Sequence, residues 1–204
     1  RALHRVEGPL GRIDVVAGEM IHHAPGLSLG FQGNVPPHVL MVFDGDAASA
    51  VYECESPADW GFMDYTTSAS AYRNAEPSSV LIIGTGGGAE VGLARHHEAE
   101  RIVGLEANPQ VIDLMTGPLL DRGGGIYQAP NVSVHAEEAR GYLAQFRDRF
   151  DIVQLPPLDA FGTSGAGLHA TRESYLYTVE AFEALLEHLT DDGVACITRW
   201  ARTP

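Results

Sequence analysis

The stretch VLIIGTGGGAEVGLARHHEAERIVGLE, Val80 to Glu106, carries the reading of the fold. A short apolar run, Val80 to Ile83, enters a glycine cluster at Gly84, Gly86, Gly87 and Gly88. A helical stretch follows from about Ala89, and a second apolar run, Arg101 to Leu105, ends in Glu106. A strand, a glycine turn, a helix and a second strand with a terminal acid form a unit that binds an adenosine-containing ligand. Glycine lets the backbone approach the ligand, and the acid accepts hydrogen bonds from ribose hydroxyls. The spacing leaves two ligand families open. Gly84, Gly86 and Ala89 satisfy the dinucleotide fingerprint GxGxxG/A, with the acid about 20 residues on. Gly84, Gly86 and Gly88 also satisfy the looser GxGxG loop of S-adenosylmethionine enzymes.

Outward from this unit, strands alternate with helices. Strands are expected at Val80–Ile83, Arg101–Leu105, Val132–His135, Asp151–Leu155 and Gly193–Thr198. Asn108-Pro109 opens a helix, with Asn as N-cap and Pro in the first turn. A second helix is expected over Glu137–Phe146. A long one is expected over Arg172–Leu189, where Leu176, Val179, Phe182, Leu185, Leu186 and Leu189 recur at helical spacing; Asp191-Asp192-Gly193 is its stop signal. This order predicts an α/β fold, a doubly wound, mainly parallel Rossmann-like sheet of methyltransferase type. Residues 1–60 read as a small N-terminal β subdomain, with strands at Arg12–Val16, Gly26–Phe31, Val39–Phe43 and Ala50–Glu53 and a hairpin turn at Asp44-Gly45-Asp46. Residues 61–204 form the nucleoside-binding domain. Ser56 to Asn74 is a mixed, polar connection anchored by Trp60, Phe62 and Tyr65. The sheet stops after its fifth strand and the chain opens at Arg1 rather than Met, so sequence beyond both ends is expected, or a second chain over the sheet edge.

The chain has 204 residues, 45% hydrophobic and 20% charged, with a formal net charge of −14. That charge argues against nucleic acid as a partner, since phosphate binding needs basic patches. No apolar stretch approaches the ~20 residues needed to span a bilayer, and no signal peptide is visible. Cys54 and Cys196 read as two buried thiols of a reducing compartment. No metal site is expected: HExxH and CxxC are missing, and the pairs His22/His23 and His96/His97 are adjacent, so their side chains should point apart.

The chemistry must then come from acids near the strand ends. Glu106 is placed to hold a ribose. Glu137 and Glu138 follow the third strand, where one of them can reach an adenine amino group. The fourth strand leads into LPPLDAFGTSGAG, Leu155 to Gly167, a Gly/Ser/Pro-rich loop fit for a lid or substrate contact. Asp159, the loop's only acid, is the candidate proton acceptor or amine-binding group, with Asp64 or Tyr65 as helpers. Ser164 lies in GTSGA, not GxSxG, and is not a hydrolase nucleophile.

Taken together, the glycine segment, ANPQVIDL (Ala107–Leu114), EEARGYL (Glu137–Leu143), FDIVQL (Phe150–Leu155) and ESYLYTVEAFEALL (Glu173–Leu186) resemble the spermidine synthase-like proteins. The resemblance extends from GPLGRIDVV, APGLSLGF and FDGD to Thr198-Arg199-Trp200. It is nearest to bacterial members whose soluble module is attached to membrane-spanning segments. It implies a small N-terminal β subdomain before a methyltransferase-type sheet, a homodimer, no metal, and membrane segments outside this chain. It also implies a place in the cytoplasm or at the cytoplasmic face of a membrane. The donor substrate it implies is S-adenosylmethionine or decarboxylated S-adenosylmethionine. Gly84, Gly86 and Gly88 would line its sulfonium end and Glu106 its ribose, with Glu138 and the Ala139 amide at the adenine. The implied reaction is aminopropyl transfer to an amine.

Two positions depart from the family's pattern. Its GGGDGG loop carries an Asp where this chain has Gly87, and the first Asp of its DSSDP-type sequence is replaced by Pro156, leaving Asp159 as the surviving acid. The uncharged loop keeps an S-adenosylmethionine-dependent methyltransferase open. The missing base keeps open a non-catalytic nucleoside-binding module of a membrane protein. A nicotinamide dehydrogenase fits the fingerprint but finds no hydride-transfer constellation after the fourth strand.

Overall fold

Alternating burial organises the first fifty residues into an antiparallel meander. Strands β1 (Ala2–Gly8), β2 (Gly11–Val16), β3 (His38–Phe43) and β4 (Ala47–Tyr52) pair in the order β1-β2-β3-β4. Ile13 and Val15 on β2 and Val39 and Met41 on β3 alternate inward and are fully buried, the period-2 pattern of a sheet with one covered face. A turn through Asp44 and Gly45 joins β3 to β4, with Phe43 opposite Ala47; Asp46 of the expected turn lies outside the described residues. Asp44 and Gly45 both take positive φ, as such hairpin turns require. The computed structural model describes residues 1–18, 22–45, 47–73, 75–157 and 175–199.

Three sequence expectations for this half change. Ala2–Gly8 forms a strand that its exposed, charged sequence did not announce. Gly26–Phe31 is not a strand: Gly26 has φ 76°, Phe31 closes a turn onto the Ser28 carbonyl, and the segment's one ladder contact is a bridge from Leu27 to Thr66. The connection from Pro57 to Arg73 is two 3₁₀ helices, Pro57–Tyr65 and Thr67–Arg73. Trp60 and Phe62 are buried in it as expected, whereas Tyr65 is half exposed and tilts against Phe31.

The second sheet is fully parallel. Strands β5 (Ser79–Ile83), β6 (Arg101–Leu105), β7 (Val132–His135), β8 (Phe150–Leu155) and β9 (Leu189–Ile197) lie in the order β7-β6-β5-β8-β9. Helices α1 (Ala89–His96), α2 (Pro109–Thr116), α3 (Ala139–Gln145) and α4 (Val179–Glu187) cover its two faces. Val80 and Ile82 on β5 share a cluster with Val91 and Leu93 of α1 and Val111 and Leu114 of α2. Leu81 and Ile83 share the other with Tyr142 and Leu143 of α3 and Leu185 of α4. That split makes the sheet doubly wound, and the strand order reverses between β5 and β8. Open α/β sheets bind ligands at the carboxyl ends of the strands beside such a switch point.

The long expected helix is broken. Among the described residues, a 3₁₀ turn at Tyr175–Tyr177 is separated from α4 by Thr178, whose extended backbone and Oγ (accepting from the Ala181 amide at 3.2 Å) restart the helix. The Asp191-Asp192-Gly193 signal ends no helix; it lies inside β9. The ladder jumps there from Phe150–Leu189 to Ile152–Val194, so the turn-forming residues bulge out of the strand. Helix α3 begins two residues later than expected because Glu138 is extended, at φ −73° and ψ 138°. Cys54 and Cys196 are both buried and free. Among the described residues, no helix is long and apolar enough to cross a membrane.

Candidate functional site

The glycine loop leaves β5 at the switch point. Gly84, Gly86 and Gly88 take φ 89°, 49° and 88°, a left-handed sequence that side chains resist. It turns the chain sharply into α1. The Gly88 amide closes onto the Thr85 carbonyl at 2.8 Å, and a Cβ on Gly88 would sit 2.9 Å from Ile126 Cγ2.

Glu106 follows β6 directly and reaches back to this loop. Its Oε2 accepts the Gly86 amide at 3.0 Å and its Oε1 the Asn108 amide at 2.9 Å. Burial raises the carboxyl's pKa above its ordinary value, and the two amides partly offset that. One side chain thus ties the glycine loop to the start of α2. Asn108 caps that helix, its Oδ1 accepting the Gln110 amide at 3.1 Å, with Pro109 as the first helical residue.

Of the acids after β7, Glu138 is exposed and flanks α3 as its N-cap, with Ala139 buried behind it. Glu137 is the more telling: its Oε2 is shielded from solvent and has no hydrogen-bond partner among the described residues. A carboxylate oxygen shielded from solvent and without a donor is costly. Asp159 lies outside the described residues, as does all of the loop that follows Pro157, residues 158–167.

Asp64 and the paired histidines form an unexpected group. His96 Nε2 lies 3.3 Å from Asp64 Oδ2 and His97 Nε2 lies 2.7 Å from Asp64 Oδ1. The two rings converge because His96 ends α1 while His97, its C-cap, has left helical geometry. This group sits at the opposite end of α1 from the glycine loop, roughly 10 Å along the helix axis at 1.5 Å per residue.

Several residues at the loop had no motif to mark them. Tyr127 is buried, and its hydroxyl lies 2.6 Å from Thr85 Oγ1 and donates to the Gly86 carbonyl at 2.7 Å. Ser49 on β4 accepts the Gly87 amide at 2.8 Å. Glu90, in the first turn of α1, is 9% exposed and accepts from Ser68 Oγ at 3.3 Å. Nearby, the Tyr72 hydroxyl donates to Gln154 Oε1 at 3.0 Å, and Gln154 Nε2 donates to the Ser68 carbonyl at 3.2 Å. Only glycine, capping and acid-at-strand-end signals were readable in sequence; these contacts come from strands and loops far apart in the chain.

Two shallow hollows, of about 410 and 360 Å³, open where β8 and β9 begin, lined by Arg147, Arg149, Asp151, His188 and Thr190 to Asp192. They are lined by charged and polar side chains and lie at the amino ends of the strands, the wrong end for a doubly wound sheet. The glycine loop lies at the opposite, carboxyl end of the strands.

A parallel sheet with its glycine loop at the switch point, and an acid bracketing that loop, defines an α/β fold of methyltransferase type. The family model of the spermine/spermidine synthase domain matches residues 62–200, and the chain belongs to that family. A polyamine aminopropyltransferase of Nitrosomonas europaea is 27% identical over 125 residues, which is 61% of this chain and 36% of that protein. One from Pectobacterium carotovorum subsp. carotovorum is 22% identical over 162 residues, 76% of this chain and 53% of that protein. Among solved structures, spermidine synthase from Thermotoga maritima superposes with a TM-score of 0.62 at 21% identity, over 96% of this chain and 56% of that one. A spermidine synthase in complex with the transition-state analogue AdoDATO gives 0.60 at 21% identity, over 96% and 55%. The chain thus spans a third to just over half the length of these relatives.

Proposed function

We propose that this chain forms the donor side of an aminopropyltransferase-type site. It binds decarboxylated S-adenosylmethionine or a closely related sulfonium nucleoside and directs an amine onto it. The observation that carries the reading is Glu106, half-buried at the end of β6 and bridging the amides of Gly86 and Asn108. A carboxylate so placed can turn its remaining lone pairs to ribose hydroxyls. Glu137, with its unpartnered Oε2, and Glu138 stand at the adenine end. Family membership and the aminopropyltransferase relatives support this choice of donor.

In the proposed reaction the amine lone pair attacks the methylene carbon beside the sulfonium. A C–N bond forms, the C–S bond breaks with its electrons passing to sulfur, and a neutral thioether nucleoside leaves. The donor is already activated, so the protein's main contribution is alignment. The attacking amine must be uncharged, and a positioned base contributes roughly 10²–10⁴-fold. Pro156 cannot titrate, which leaves Asp159 as the proposed proton acceptor. The partners are this nucleoside, an amine and a second copy of the chain, with no metal; the proposed setting is the cytoplasm or the cytoplasmic face of a membrane.

Calorimetric titration with S-adenosylmethionine and its decarboxylated form, followed by mass analysis of the amine product, tests the reading. Preference for the decarboxylated donor and an aminopropyl adduct are expected; a methyl adduct would move the chain to methyl transfer, and binding of neither would sink the nucleoside site. Glu106→Ala should abolish binding, and undiminished affinity would remove Glu106 from the site. Asp159→Asn should lower turnover about a hundredfold while sparing nucleoside affinity; unchanged turnover would take Asp159 out of the mechanism.

A further inference from the structure

Strand β4 meets the glycine loop at close quarters. A Cβ on Gly87 would lie 1.9 Å from the Ala50 carbonyl oxygen and 3.2 Å from Val51 Cγ2, and one on Gly86 would lie 2.5 Å from Ser49 Oγ. The Ala50 carbonyl belongs to a strand paired with β3, Ala50 opposite Leu40, so it cannot swing aside as a side chain would. Position 87 is closed to every residue but glycine.

The loop amides are also accounted for. Gly84 donates to the Leu105 carbonyl at 2.8 Å, Gly86 to Glu106, and Gly88 to the Thr85 carbonyl. Those three partners sit on the parallel sheet or within the loop itself. Gly87 alone of the four takes its partner, Ser49 Oγ, from the antiparallel sheet. Ser49 is half-buried rather than sealed, so its hydroxyl is placed between the packed strand and the open end of the parallel sheet.

We propose that Ser49 is a positioning residue of the nucleoside site. Its hydroxyl holds the Gly87 amide, and the Ala50 carbonyl backs the same glycine. The wall presented at this point of the loop is therefore uncharged backbone fixed by β4, where a side chain cannot stand. The inference rests on the nucleoside reading given above, and it extends the site to the antiparallel sheet.

The test is residue-resolved amide hydrogen exchange on the whole chain for wild type, Ser49→Ala and Ser49→Thr. Decarboxylated S-adenosylmethionine and 5′-methylthioadenosine are titrated into each. Ser49→Ala should speed exchange at Gly87 at least about tenfold, leave Leu81 and Ile82 on β5 unchanged, and weaken both nucleosides about tenfold, as loss of one hydrogen bond would. Ser49→Thr keeps the hydroxyl and should restore both readouts. Unchanged exchange at Gly87 in the alanine variant overturns the proposal. So does equal acceleration at Leu81 and Ile82, which would make Ser49 a general structural residue. If Gly87 responds as expected but neither nucleoside binds the wild type, the nucleoside reading has failed while the hydrogen bond stands, and Ser49 loses its positioning role.

Discussion

Glu90 is a buried acid in the first turn of α1, two residues beyond Gly88, and its environment sets a pH dependence. Burial pushes its carboxyl from an ordinary 4.5 up to about 6, with its helix-terminal amide and Ser68 pulling the other way. Between those values the folded chain keeps a proton that the unfolded chain has released, so stability falls as pH rises through that window and stays lower above it. At about 1.4 kcal/mol per pH unit, the charged form costs the fold about 2 kcal/mol. Glu90→Gln keeps an acceptor for Ser68 and removes the charge. Urea unfolding should find the variant about 2 kcal/mol more stable than wild type at pH 8 and equal to it at pH 4. The difference between the two proteins isolates this one carboxyl, and a difference that does not change with pH would show that it titrates alike in the folded and unfolded chains.

At the scale of elements, the dock between α1 and the 3₁₀ helix Pro57–Tyr65 depends on an absent side chain. A Cβ on Gly92 would lie 2.1 Å from Trp60 Cδ2. The indole cannot yield easily: Tyr52 meets it edge-on at 5.8 Å and Phe62 lies nearly parallel at 6.2 Å. Alanine would raise the intrinsic helix propensity of α1 by up to ~1 kcal/mol, but overpacking typically costs 1–3 kcal/mol, more here because the clash is so deep. Gly92→Ala should therefore lower stability by about 2 kcal/mol in urea melts, and a gain would mean that Trp60 has room to move. Gly92 also shows where sequence reading stops. The elements whose signals are local were legible: β5 from its apolar run, the loop from its glycines, α2 from Asn108-Pro109, Glu106 from its place after β6. What depends on partners from elsewhere was not. The Leu176-to-Leu189 spacing fits one helix, yet the Thr178 cap divides it, and Asp191-Asp192-Gly193 reads as a stop but is absorbed as a bulge because β8 supplies a ladder. Ser49 is one serine on a short strand, and nothing local distinguishes it from any other.

The whole molecule is joined through one of its two cores. The cluster that holds Val80, Ile82 and Ile102 of the parallel sheet also holds Ile13, Val15, Val39, Met41 and Val51 of the antiparallel one. Among the described residues, the cluster on the other face, around Leu81 and Phe150, contains none from the meander. Loss of packing in the meander should therefore be felt across the parallel sheet, and through β5 at the glycine loop. Met41 is fully buried on β3, so Met41→Ala leaves a cavity in the shared core and should cost about 2–5 kcal/mol. If the two sheets unfold as one cooperative unit, amides on β3 and on β5 exchange through the same global opening, and the substitution should speed both by the same factor. Faster exchange confined to β2, β3 and β4, with Leu81 and Ile82 unchanged, would mean that the meander opens by itself. The proposed nucleoside site would then lose its β4 wall without losing the fold that carries Glu106.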